Sequence, residues 1–354
     1  MGIKELAKRA EITKEQKLDE WTINAFENYS TLKEKTFIDL GTLVDTRRGT
    51  CVLVASGPSL NYAMDTIRSL SAKGNPIICG ASQAMALKAH GITPDYIAMY
   101  DSHQNNFDFL RPDVIDWGRT ALVTHPCCDP RTLKYWRGDI IMYKIGLNYH
   151  ESHKDTQGLS VKEFMDKYKP SPDAPISWYI RDEYLIFMIN TLQRSYPQIP
   201  FRILASSCTP TNTMFIADCM GFDNALLVGF DNGFTHGLSR ADSYRYDPIP
   251  ETIARTGIHE YDKKAEWIVK SDNGIDTTKQ LLSYRLSIIY TAARIQINIV
   301  ELHAGEPGTL DFFPVLHKDD LDMGNIPVFM DNDRLVAAQN VFNYEHEKEE
   351  KENG

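Results

Sequence analysis

From Thr50 onward the sequence keeps returning to one unit: a short apolar run, a turn of small residues, then a stretch with helical periodicity. Cys51–Ala55 precedes a helix expected from about Leu60, and Pro76–Cys79 precedes one over Gln83–His90. Tyr96–Tyr100, Ala121–Thr124, Ile140–Ile145, Phe201–Ala205, Ala225–Val228 and Ile297–Glu301 are further runs of the same kind. Helices are expected over Pro210–Met220 and Asp276–Gln296, and an amphipathic one over Ser177–Leu192. Apolar runs without polar alternation belong to strands covered on both faces, and parallel strands need crossover helices to cover them. The expectation is an α/β fold: a mainly parallel sheet with helices on both faces.

The flanks differ from this core. Residues 1–48 read as a helical arm, with Thr13 and Gln16 in a capping-box pattern and Leu18, Trp21, Ala25 and Tyr29 along a rough apolar stripe. The stretch 230–275 is polar, aromatic and punctuated by Gly and Pro, as a lid over a site would be. Residues 317–354 form a C-terminal extension that ends in the charge run EHEKEEKENG, expected to stay solvated. The intervening 49–316 make the expected catalytic or binding domain. At 354 residues the chain is long enough for one large domain with insertions, and its net charge of -10 argues against a nucleic-acid-coating surface. No run approaches the ~20 apolar residues of a membrane span, and MGIKELAKRAEITKEQ lacks a signal-peptide core, so a cytoplasmic chain with no membrane partner is expected. The six cysteines show no Cys-x-x-Cys spacing and are expected as reduced, mostly buried thiols. The helical arm is a candidate surface for a homo-oligomer.

Four turns carry the candidate chemistry. The first is Ser56-Gly57-Pro58-Ser59, between a strand and a helix, where free backbone N–H groups and a helix dipole attract an anion. An ordinary turn with Ser59 as helix cap is the plain alternative. The second is Gly80-Ala81-Ser82-Gln83, which repeats the arrangement, again with Ser82 as a simple cap in the alternative. The third is the end of the Tyr96 run, where Asp101 stands at the carboxyl edge of the sheet. A carboxylate there holds Mg²⁺ on a phosphate, acts as a base, or caps the next helix. The fourth is Cys208-Thr209-Pro210 before a helix, followed by Asp231 at the end of another strand. Asp101 and Asp231 are expected to converge across one crevice. His236 and His259 fall in the suspected lid with Tyr244, Tyr246 and Tyr261, and Arg240 and Arg245 are its only tempting phosphate clamps.

Taken in order, VASGPSLN, ICGASQAMALKAHGITPDYIAMYDS and SSCTPTNTMFIADCMGFDNALLVGFDNGF resemble the 6-hydroxymethylpterin diphosphokinase MptE-like domain, which also occurs in motility accessory factors. They are similar, more distantly, to bacterial CMP-sialic acid-dependent sialyltransferases. The resemblance implies a Rossmann-like sheet whose Ser56, Gly57, Pro58 and Ser59 bind nucleotide phosphate, with Ala81 and Ser82 near the nucleoside. Cys208, Thr209 and Pro210 line up with a small-residue turn of the sialyltransferases, and His259 with their catalytic histidine by position. The resemblance implies ATP and Mg²⁺, with a diphosphoryl group passing to a pterin hydroxymethyl oxygen and Asp101 and Asp231 in metal or base roles. A CMP-sugar donor used without metal is the alternative, with His259 as base. A third reading keeps the crevice as a binding or assembly module without chemistry.

Overall fold

A computed structural model describes residues 31–146, 202–204, 208–241 and 268–328, less a few positions within these spans, and several helical positions between 20 and 30. The expected helix over Ser177–Leu192, most of the lid and the acidic tail lie outside the described residues. So do His236, His259, Tyr244, Tyr246, Tyr261, Arg240 and Arg245.

The strands are β1 (Ile38–Asp39), β2 (Thr50–Val54), β3 (Ile77–Gly80), β4 (Tyr96–Ala98), β5 (Ala121–Thr124), β6 (Ile140–Met142), β7 (Lys144–Gly146), β8 (Arg202–Leu204), β9 (Asn224–Val228), β10 (Ile268–Lys270), β11 (Asp276–Thr278), β12 (Asn298–His303) and β13 (Val315–His317). The helices are α1 (Leu60–Ala72), α2 (Ala81–Ala89), α3 (Asn105–Leu110), α4 (Pro130–Tyr135), α5 (Thr209–Met220) and α6 (Lys279–Ala292). Nine strands form one sheet in the order β1-β6-β5-β4-β3-β2-β9-β12-β13. Every neighbouring pair in it is parallel. This is a Rossmann-like α/β architecture. β10 and β11 form a separate antiparallel hairpin, and β7 and β8 a small parallel pair.

Alternation along the strands divides the core in two. Val52, Val54, Leu226, Val228, Val300 and Leu302 pack with Leu60, Met64, Ile67 and Leu70 of α1 and with Leu87 of α2. Cys51, Leu53, Ala225, Leu227 and Ile299 face the other way, onto Met214, Ala217 and Met220 of α5 and Ile288 and Ala292 of α6. Both layers are apolar, which is why the strands read as uninterrupted hydrophobic runs.

The order of strands reverses at one place. From β2 the chain adds β3 to β6 on one side, then β9, β12 and β13 on the other. Sheets of this kind leave a crevice where two neighbouring strands send their crossovers to opposite faces, at the strands' carboxyl ends. The crevice therefore opens between the loops after β2 and after β9.

Three local expectations change. The segment read as wholly helical contains β1, whose Ile38 and Asp39 pair with Ile141 and Met142 at the sheet's edge. The final helix begins at Lys279 rather than Asp276, because Asp276–Thr278 pairs with Ile268–Lys270 and Thr278 caps the helix through Leu281 N–H. It ends at Ala292. The Phe201 run gives β8, which joins β7 instead of the main sheet.

Candidate functional site at the sheet's carboxyl edge

The loop after β2 is locked onto the loop after β9. Gly57 N–H donates to Gly229 O at 2.7 Å, and Ser59 N–H donates to Asp231 Oδ2 at 2.7 Å. Ser59 Oγ donates to Asp231 Oδ1 at 2.5 Å, and Thr235 Oγ1 to Oδ2 at 3.0 Å. Asp231 is 2% exposed, so these donors take the place of its hydration. A β-carbon on Gly57 would stand 2.6 Å from both the Asp231 carboxyl and Gly229 O, so only glycine permits the approach. Gly229, at φ +71°, packs as closely on Ala55. Ala241 N–H donates to Ser56 O and ties the start of the lid segment to the same loop.

Two consequences follow for the expected roles. Ser59 does not cap α1: its hydroxyl is spent on Asp231, and the first N–H groups of the helix bond back to Gly57, Pro58 and Ser59 carbonyls. The N–H groups of Gly57 and Ser59 are not free for an anion, since both serve the bridge to the β9 loop.

Two helix N-termini without a side-chain cap lie one strand over. α2 begins at Ala81 with Gly80 as N-cap and no side-chain cap, and α5 begins at Thr209 behind Cys208, also without one. The leading N–H groups of a helix have no partner inside it, and the dipole makes that end attractive to anions. The two N-termini touch: a β-carbon on Gly80 would lie 2.8 Å from Thr209 Cγ2 and 2.6 Å from Gln83 Oε1. The structure thus brings together Ala81, Ser82, Cys208 and Thr209. Ser82 lies inside α2 and accepts from Gln83 Nε2, so it is not the helix cap.

Asp101 and Asp231 are not brought together. Each lies three residues past the end of its strand, β4 or β9, and those strands are three strand spacings apart, about 14 Å. Asp101 is exposed, and its Oδ1 accepts from His103 N–H in the turn leading to α3. Among the described residues no group of three or more His, Cys, Asp or Glu side chains is placed to hold a metal ion. The paired carboxylates thus do not fit a shared Mg²⁺.

A buried polar layer lies behind the α5 N-terminus, and the sequence did not single it out. Tyr143 OH donates to Met99 O at 3.0 Å and accepts from Asn212 Nδ2 at 3.1 Å. Asn212 Oδ1 is buried with no hydrogen-bond partner. His125 Nδ1 accepts from Cys127 N–H, which leaves Nε2–H to donate to Tyr100 O at 2.8 Å. Burial holds this imidazole neutral, with its pKa down to about 4. Asn28 of the N-terminal helix crosses the same turn, its Nδ2 donating to Pro126 O and Cys128 O at 2.9 and 2.7 Å. All six cysteines are free thiols, four of them buried.

Residues 23–165 match the family model described as 6-hydroxymethylpterin diphosphokinase MptE-like. The matched span contains the Ser56–Ser59 loop, Ala81, Ser82 and Asp101, and ends before Cys208 and Asp231. Among solved structures, a MAf glycosyltransferase from Magnetospirillum magneticum AMB-1 superposes with a TM-score of 0.50 at 14% identity, over 93% of this chain and 42% of that one. The chain therefore spans about two fifths of that protein's length, and the likeness is one of fold. No curated protein sequence matches the chain. No described helix is long and apolar enough to cross a membrane.

Proposed function

We propose that this chain is a nucleotide-dependent transferase that seats the donor's phosphate between the uncapped N-termini of α2 and α5. The observation that carries this reading is their contact through Gly80 and Thr209, at the carboxyl edge beside the reversal of strand order. Two helix dipoles and their leading N–H groups then face one anion. Ala81 and Ser82 sit on one side of it and Cys208 and Thr209 on the other. Ser56, Gly57, Pro58 and Ser59 form the floor, whose shape Asp231 maintains. Phosphoryl or glycosyl transfer asks mainly for such positioning and charge stabilisation.

The MptE-like match supports ATP as donor and a hydroxymethylpterin-type acceptor, with diphosphate as the group transferred. A second reading, transfer from a CMP- or other nucleotide-activated sugar, is favoured by the engagement of both Asp231 oxygens with Ser59 and Thr235. That chemistry asks for no carboxylate-held metal. A thermal-shift panel of ATP, GTP, CTP and CMP, each with and without Mg²⁺, tests both. A Tm rise with ATP only when Mg²⁺ is present supports the first donor, and a metal-independent rise with CMP supports the second. No response to any of the four overturns the nucleotide reading.

A further inference from the structure

The polar layer behind the α5 N-terminus reaches the crevice through Tyr100. Alternation along β4 puts Tyr96 and Ala98 on the α5 side of the sheet, with Ile97 and Met99 on the other. Tyr100 continues that pattern past the end of the strand, on the α5 side. Its ring lies 6.4 Å from the His125 ring, which lies 5.5 Å from that of Tyr143, edge to face in both pairs. Tyr143 is fully buried and bonded to Asn212 of α5. The row of rings therefore runs from the first turn of α5 to Tyr100, its half-buried outer end.

That outer end borders the donor seat. Ala98 pairs in register with Gly80, the N-cap of α2, one strand spacing away, about 5 Å. Tyr100 stands two residues beyond Ala98, at the level where Gly80 gives way to α2. Cys208, the N-cap of α5, lies close enough to the Tyr100 phenol to act on it electrostatically. The next residue, Thr209, is the one packed against Gly80.

Among the described residues none hydrogen-bonds the Tyr100 hydroxyl. Asn212 Oδ1, one turn into α5, is fully buried without a described partner. Buried polar atoms in native folds are rarely left so, and an unbonded donor and an orphaned acceptor in one layer mark a place that a polar ligand completes. Neither Ala81-Ser82-Gln83 nor Cys208-Thr209-Pro210 includes a Lys or Arg, so the donors these turns offer a phosphate are uncharged. Burial, with the Cys208 thiol and Asp101 adding to it, pushes the Tyr100 pKa up. The phenol therefore keeps its proton through the neutral range and meets an anion as a donor.

We propose that Tyr100 is a donor-binding residue, whose O–H donates to a phosphate oxygen of the nucleotide seated between α2 and α5. The assignment rests on the transferase reading above and adds a side chain to the backbone donors of that seat. His125 and Tyr143 hold this stretch of backbone in place, the first by donating to Tyr100 O and the second by donating to Met99 O.

The test uses Tyr100→Phe, which removes the hydroxyl and keeps the ring. Calorimetric titration of the full chain with CMP and with ATP plus Mg²⁺ runs beside phosphorus NMR of the bound nucleotide and urea unfolding. The expected result is a urea midpoint no lower than wild type, nucleotide affinity weaker by about tenfold or more, and a displaced phosphorus resonance. An affinity equal to wild type overturns the proposal. A weaker affinity with the phosphorus resonance unmoved, or with a lowered urea midpoint, assigns the hydroxyl to the packing of the layer and overturns it as well. Wild type that binds nucleotide while Tyr100→Phe binds it equally overturns the Tyr100 assignment alone. Wild type that binds no nucleotide overturns the transferase reading, and the assignment with it.

Discussion

Asp231 holds two segments together that are 172 positions apart in sequence. Both of its oxygens accept hydrogen bonds in a site closed to water, where a donor left without an acceptor is costly. Asp231→Ala leaves Ser59 N–H, Ser59 Oγ and Thr235 Oγ1 without that acceptor and is expected to cost on the order of 3–5 kcal/mol in urea unfolding. Ser59→Ala removes a single bond to a carboxylate and is expected to cost about 1.5–3 kcal/mol. A Ser59→Ala cost equal to that of Asp231→Ala would contradict the assignment of the remaining donors. The residue types at these positions were legible in the sequence as a small-residue turn and a strand-end acid. Their partnership was not, because a hydrogen bond across such a separation depends on which strands become neighbours.

At the scale of elements, one contact shapes the proposed site and another fastens the N-terminal helix. Gly80→Val puts a side chain against Thr209 Cγ2 and Gln83 Oε1, so both must swing aside and the new methyl groups fill the space between the α2 and α5 N-termini. The expected outcome is a folded protein that loses the nucleotide-induced Tm shift, and a retained shift would show that the anion binds elsewhere. The N-terminal helix rests on the turn after β5 through Asn28, which is fully buried. Asn28→Ala is expected to lower stability by about 1–2 kcal/mol and to speed proteolysis in residues 20–34, as read by limited digestion. Periodicity pointed to helix in this arm, and described positions between 20 and 34 are helical, whereas Thr13 and Gln16 lie outside the described residues and β1 was missed. It is two residues long, and its apolar and acidic pair carries no strand signal. Its pairing with β6 exists only because the rest of the sheet presents an edge there.

At the scale of the whole molecule, stability and pH are linked through His125. Burial depresses its pKa from the ordinary 6.5 to about 4 in the folded state. The neutral form is therefore favoured by folding, its contribution is complete above pH ~6.5, and it is lost as pH falls toward the folded value. The loss amounts to about 3 kcal/mol at most. His125→Gln is expected to flatten the decline in urea midpoint between pH 6.5 and 4.5, and a slope identical to wild type would refute the linkage. The sequence alone determined the α/β class, since apolar runs interleaved with helical stretches can be covered only by helices on both faces of a parallel sheet. It also named the turns that line the sheet's carboxyl edge. Only the tertiary structure decided that the reversal of strand order sets β9 beside β2, and so turned Asp231 toward Ser59 instead of Asp101. Local sequence specifies which residues form a strand, whereas strand order follows from how all the crossovers pack, and a site built between strands inherits that dependence.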